Sequence, residues 1–119
     1  MNQAETTTKA KYPYGHPGFI PLCFEEMQLH SDKNYDYAHG DDPLGNFKRV
    51  SEMLKLSGIN LPPYTVAWIY MMKQVDAVGR MIGTGYTGQV EGVKSRLMDI
   101  SVYAKLIWLL YAGNTSGDR

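Results

Sequence analysis

Cysteine is almost absent. Cys23 is the only one in 119 residues, which excludes an internal disulfide and is usual for a chain kept in a reducing compartment. An unpaired cysteine of this kind is expected in the core. An excess of one charge is missing too: twelve basic side chains are balanced by twelve acidic ones. The long-range field that draws a protein onto duplex nucleic acid or anionic lipid is therefore lacking, and no duplex partner is expected. The longest apolar run, Ile100 to Ala112, is interrupted by Ser101 and Lys105 and falls short of the roughly 20 residues that span a bilayer. Residues 1–10 are polar, without the apolar stretch of a secretory signal. Together these absences lead to the expectation of a soluble, cytoplasmic protein with no membrane partner.

Other absences narrow the chemistry. No strand-like alternation, internal repeat or low-complexity tract is present. There is no Cys/His metal spacing and no phosphate-binding loop. Gly83, Gly85 and Gly88 match the letters of a dinucleotide fingerprint, but no strand precedes them. Cys23 and His30 stand seven residues apart on one helical segment, which is the wrong arrangement for a thiol nucleophile and its base.

What remains is helical. The length suits one domain with a core of its own. The spacing predicts four helices in an antiparallel four-helix bundle, an all-α domain over residues 19–113. A flexible arm precedes it over 1–18, where Pro13 and Pro17 oppose regular helix, and a disordered tail follows over 114–119. The first helix is expected from Pro21 to Asn34 with Leu22, Met27 and Leu29 buried, and the second from Pro43 to Ser57 with Gly58 as its left-handed stop. The third should begin at Pro62 or Pro63 and end near Ile82, with Ala67, Met71, Val75, Val78 and Ile82 as its core stripe. The fourth should run from Val90 to Ala112 with Val93, Leu97, Ile100, Ala104, Ile107 and Tyr111 inward. From Val102 onward only Lys105 is charged around its whole circumference, more apolar surface than one small domain hides. A homo-oligomer burying the Leu106 to Tyr111 surface is therefore expected.

The stretch from Lys33 to Phe47, KNYDYAHGDDPLGNF, carries three carboxylates and three aromatics between two helical segments. A connection of that composition exceeds what a reversal of direction needs. It has two readings: a turn capped by Asp42 ahead of Pro43 with Tyr35, Tyr37 and Phe47 tucked inward, or a binding site. Elsewhere Asp76 and Arg80 are spaced as an i, i+4 ion pair, and Arg96 and Asp99 lie close to the apolar stripe of the last helix, where charges need partners. Carboxylates from different helices of a bundle can converge on Mg²⁺, and basic residues beside them can neutralise phosphate.

The segment Glu26 to Phe47, with Asp76 to Arg80 and RLMDISVYA from Arg96 to Ala104, resembles the phage nucleotide modification associated domain family of small helical proteins. Its K-x-x-D-Y-A and D-P-x-x-N-F elements carry the resemblance, which spans roughly Phe24 to Tyr111. The helical layout is also similar to the MazG-like all-α nucleotide pyrophosphohydrolases. There the match is partial: Glu25 and Glu26 lack the partner carboxylate, and Arg96 stands where a glutamate would precede Asp99.

These resemblances imply a nucleotide or nucleotide-derived ligand and, in one form, a Mg²⁺-dependent nucleotide phosphohydrolase. Asp36, Asp42, Asp76 and Asp99 would then hold metal or orient water, with Asp36 and Asp99 catalytic, while Lys33, Tyr37, Asn46, Lys73, Arg80 and Arg96 would meet the ligand. The alternative is a non-catalytic nucleotide-binding or protein-interaction module built as a helical oligomer, in which the same charges form structural pairs.

Overall fold

The computed structural model describes residues 2–114; the expected tail lies outside them except for Asn114. The described chain is all-α, with helices α1 (Gln3–Lys11), α2 (Phe19–Ala38), α3 (Gly45–Leu56), α4 (Pro63–Thr84) and α5 (Val93–Asn114) and no strand among the described residues. That is five helices where four were expected. The chain divides after His39 into two compact units.

In the first unit, α1 occupies the stretch expected to be a helix-free arm. Its cause is local. Asn2 Oδ1 accepts the Glu5 N–H at 2.8 Å, which satisfies a free donor of the first turn, and Asn2 Nδ2 donates to the Glu5 side chain at 3.0 Å. The hydroxyls of Thr6, Thr7 and Thr8 each return to the carbonyl four residues back, and Pro13 prevents further extension.

Helix α2 starts earlier and runs longer than expected, because nothing between Asn34 and Ala38 breaks it. It ends only where His39 takes a left-handed conformation with φ 47° and its N–H reaches the Tyr35 carbonyl, followed by Gly40 at φ 87°. Asp36 and Tyr37 consequently lie on helix rather than in a connection. Leu22 and Met27, expected in the core, are exposed, as is Cys23.

The second unit holds α3, α4 and α5. Helix α3 begins at Gly45, two residues after Pro43, since Asp42 caps the turn ahead of it by accepting the Leu44 N–H at 3.0 Å. It ends as the sequence suggests. Gly58 at φ 81° closes it with Gly58 N–H to Lys55 and Ile59 N–H to Leu54, both 3.0 Å, a paired arrangement that uses up otherwise free carbonyls. Ser51 Oγ donates to the Leu61 carbonyl at 2.5 Å and ties down the connection that follows.

Helices α4 and α5 are antiparallel neighbours. Tyr64 meets Tyr111, Tyr70 meets Tyr103, and Gln74 meets Asp99, so residue numbers fall along one helix as they rise along the other. Phe47 of α3 packs with Val66, Ala67 and Leu110 to form the buried centre, with Leu54, Leu106 and Ile107 around it. Burying a side chain of this size contributes about 1.5–3 kcal/mol.

Two expected core stripes are shifted. On α4 the buried residues are Val66, Ala67, Met71, Val78 and Met81, while Val75 and Ile82 are exposed. On α5 Asp99 and Leu110 are buried, with Leu97, Trp108, Leu109 and Tyr111 exposed. The α5 helix is apolar nearly all round, so spacing alone could not select its inner side. The inner side is the one on which Asp99 finds partners.

Candidate functional site

The polar residues that the fold gathers lie on the seam between α4 and α5. Gln74 sits in the apolar stripe of α4, one turn beyond Tyr70, and its Nε2 donates to Asp99 Oδ2 at 3.0 Å. Arg96, in the first turn of α5, donates from Nη1 to Gln74 Oε1 at 2.6 Å. The same nitrogen lies 3.8 Å from Glu91 Oε2, and Ser95 Oγ donates to Glu91 Oε1 at 3.2 Å. The result is a relay from Ser95 through Glu91, Arg96 and Gln74 to Asp99.

Burial gives this relay its weight. Asp99 is only 6 % exposed, and a buried charge needs partners because an isolated one is strongly disfavoured away from water. Its hydrogen bond orients the Gln74 amide so that Oε1 is left to accept from Arg96. The Arg96 Nε–H is buried and has no hydrogen-bond partner. Such a donor costs about 1–3 kcal/mol when left unsatisfied.

An aromatic cluster continues the seam. Phe47, Tyr70 and Tyr103 form a triangle with ring centroids 5.8, 6.3 and 6.4 Å apart, Tyr103 meeting the other two rings edge to face while Phe47 and Tyr70 are tilted to each other. Tyr70 is 37 % exposed, so part of its ring is open. Tyr70 and Gln74 are one turn apart on α4, as are Asp99 and Tyr103 on α5, so the π surface begins about one helical pitch, 5.4 Å, from the relay.

The loop before α5 sets the position of Glu91. Gly85 closes α4 at φ 77°, its N–H on the Met81 carbonyl at 2.8 Å. At Gly88 a β-carbon would overlap the Glu91 carbonyl oxygen and touch Met81. Glycine is required there by close approach of backbone to backbone.

Of the residues selected from sequence, the structure brings Arg96 and Asp99 together, and does so through Gln74, which the sequence reading did not select. The available signal was a lone amide within the 67, 71, 74, 78 stripe of α4, an otherwise apolar position. Lys73, Asp76 and Arg80 are exposed on α4, and Asn46 is half-buried in the first turn of α3. Asp42 is exposed and engaged with its own helix: Lys48 Nζ donates to Oδ2 at 2.6 Å. That bond, followed by the Leu44 amide, holds the Asp42 carboxyl below its ordinary value of 3.8. Lys33, Asp36 and Tyr37 all lie on α2, in the first unit, with Asp36 and Tyr37 exposed.

Of the carboxylates expected to share a metal ion, Asp36 lies on α2 in the first unit, while Asp42, Asp76 and Asp99 belong to the second. Among the described residues no three histidine, cysteine, aspartate or glutamate side chains stand close enough to hold a cation. No helix among the described residues is long and apolar enough to cross a membrane.

The first unit contributes a separate apolar groove of about 730 Å³, walled by Tyr12, Tyr14, Phe19, Cys23, Phe24 and Met27. Cys23, expected in the core, is an exposed part of that wall. Comparison with known proteins adds nothing to this picture: the chain matches no family model, no curated protein and no solved structure.

Proposed function

We propose that the protein binds a nucleotide or nucleotide-derived molecule on the α4–α5 seam, as a nucleotide-handling protein of the phage nucleotide-modification-associated type. The observation that carries this reading is Arg96, held in place by the Gln74–Asp99 relay with 22 % of its side chain exposed, one turn from a partly open aromatic cluster. A guanidinium suits phosphate oxygens, and an aromatic ring suits a base, so the pair spans the two ends of a nucleotide. In this reading Asp99 and Gln74 position Arg96, and Lys73 adds a mobile charge from the exposed side of α4. Mg²⁺ enters only as the ion a nucleoside triphosphate carries, largely hydrated and held by phosphates with at most one or two carboxylates.

The alternative, a non-catalytic interaction module in a helical oligomer, is favoured by a different observation: the large apolar side chains left exposed on α4 and α5, Trp68 and Trp108 among them. The two readings are compatible, since Trp68 and Trp108 belong neither to the relay nor to the Phe47, Tyr70 and Tyr103 cluster.

Calorimetric titration with nucleoside mono- and triphosphates tests the ligand reading. Arg96→Gln is expected to weaken binding of phosphorylated forms at least about tenfold, the loss of a charge-assisted hydrogen bond of about 1.5–3 kcal/mol. Tyr70→Ala is expected to weaken nucleosides and nucleotides alike. Equal affinity in wild type and both variants would contradict the placement.

A further inference from the structure

On α4 the residues Trp68, Met72, Val75 and Ile82, with Gly79 between the last two, recur at steps of four and three along the whole helix. On α5 the residues Leu97, Ala104, Trp108 and Tyr111, with Ser101, recur at the same steps. Neither stripe is the buried one. Trp68, Val75, Ile82, Leu97, Trp108 and Tyr111 are all substantially exposed, Ile82 by 69 %. Repeats averaging 3.5 residues are the pattern by which one helix packs lengthwise against another.

The two stripes lie on one side of the α4–α5 pair. Tyr64, one turn before Trp68, meets Tyr111 edge to face at 5.3 Å, and Trp108 lies 6.4 Å from Tyr111. These rings join the stripes across the seam. Helix α3 is on the other side, where Phe47 rests against Tyr70 and Tyr103. The α4–α5 pair therefore has two apolar sides, and α3 covers only one.

We infer that the second side is covered by another copy of this chain, the α4–α5 pairs of two protomers packing across a two-fold axis into a four-helix bundle. Area supports this occupant. Large aromatic side chains bury about 150–250 Å² each, so three of them roughly half exposed, with Val75, Ile82 and Leu97, leave about 500–600 Å² of apolar surface. Two copies together would remove about 1,000–1,200 Å², the size at which specific interfaces begin. The face is also self-complementary in the sense a two-fold contact requires. Each copy brings two stripes of equal length and opposite direction, and no charged side chain interrupts either one. This deepens the oligomer part of the proposed function and is independent of the ligand part, whose residues lie along the seam.

Sedimentation of the full chain over about 1 to 200 μM reads the assembly directly. The expected mass is twice the 13.4 kDa of one chain. Ile82→Glu on α4 and Ala104→Glu on α5, both at exposed positions, are expected to weaken the dimer at least about 100-fold by placing like charges across the axis, with helical circular dichroism retained. Leu56→Glu on α3, 90 % exposed and off this face, is expected to leave the dimer intact. The chain's two tryptophans both lie on the face, so dilution to monomer should shift their emission to the red. A monomer at every concentration, or a dimer that survives both Ile82→Glu and Ala104→Glu, would overturn the inference. Blue-shifted emission that ignores dilution in a monomeric protein would overturn it too, since another part of the same chain would then cover the face.

Discussion

Gln74 shows how a single uncharged side chain can decide where charges sit. Its amide bridges Arg96 and Asp99, donating on one side and accepting on the other. Replacing it by leucine should leave a buried carboxylate without that donor, at a cost of about 1.5–3 kcal/mol in denaturant unfolding. Gln74→Leu combined with Asp99→Leu should cost less than the two changes added separately, because the carboxylate that would have lost its donor is gone as well. Strict additivity would show that the relay carries no coupling. Gly88 acts through shape alone: Gly88→Ala must push the Glu91 carbonyl aside, with an expected loss of about 1–3 kcal/mol and a visibly lower melting midpoint. An unchanged midpoint would mean the loop can yield there. Gln74 does not stand out in the sequence and Gly88 does so only as one letter of a glycine pattern, since a lone glutamine and one glycine among three in a loop carry no marker of their partners. Both effects depend on contacts across a turn or between helices.

Helix boundaries were legible wherever a local stop exists, and elsewhere they were not. The Gly58 closure of α3 and the Pro62–Pro63 start of α4 follow from backbone constraints that act within a few residues. The start of α1 is encoded by the Asn2 to Glu5 cap, a signal that the helix-opposing Pro13 and Pro17 mask in the sequence. The inner sides of α4 and α5 were harder still. Each helix carries two apolar stripes of identical spacing, and only the partners found by Gln74 and Asp99 distinguish them. Asp42 belongs with the turn that leads into α3, where its carboxylate accepts the Leu44 N–H. Because its carboxyl is held below the ordinary value of 3.8, chiefly by Lys48, the unfolded chain takes up its proton first as pH falls. The contribution of this cap is therefore complete above that ordinary value and is lost as pH drops through the lowered one. Asp42→Asn should flatten the acid limb of the stability profile in that window and change little near neutrality. An acid limb identical in wild type and variant would remove Asp42 from the account.

Taken whole, the second unit carries two surfaces of different character. Its seam aligns an arginine, a buried relay and an aromatic cluster, while the opposite side of α4 and α5 offers apolar stripes suited to a second copy. The sequence already named Arg96 and Asp99, but it could not show that Asp42 would be tied to Lys48, or that Asp36 and Tyr37 would continue α2. The measurement that tests the central claim most directly is thermal unfolding of the wild-type protein with nucleoside mono- and triphosphates, with and without Mg²⁺. A bound nucleotide at about 100 times its dissociation constant should add about 2.7 kcal/mol and raise the midpoint accordingly, and Arg96→Gln should remove most of that rise for phosphorylated ligands. A midpoint unmoved by every nucleotide tested would contradict ligand binding at the α4–α5 seam.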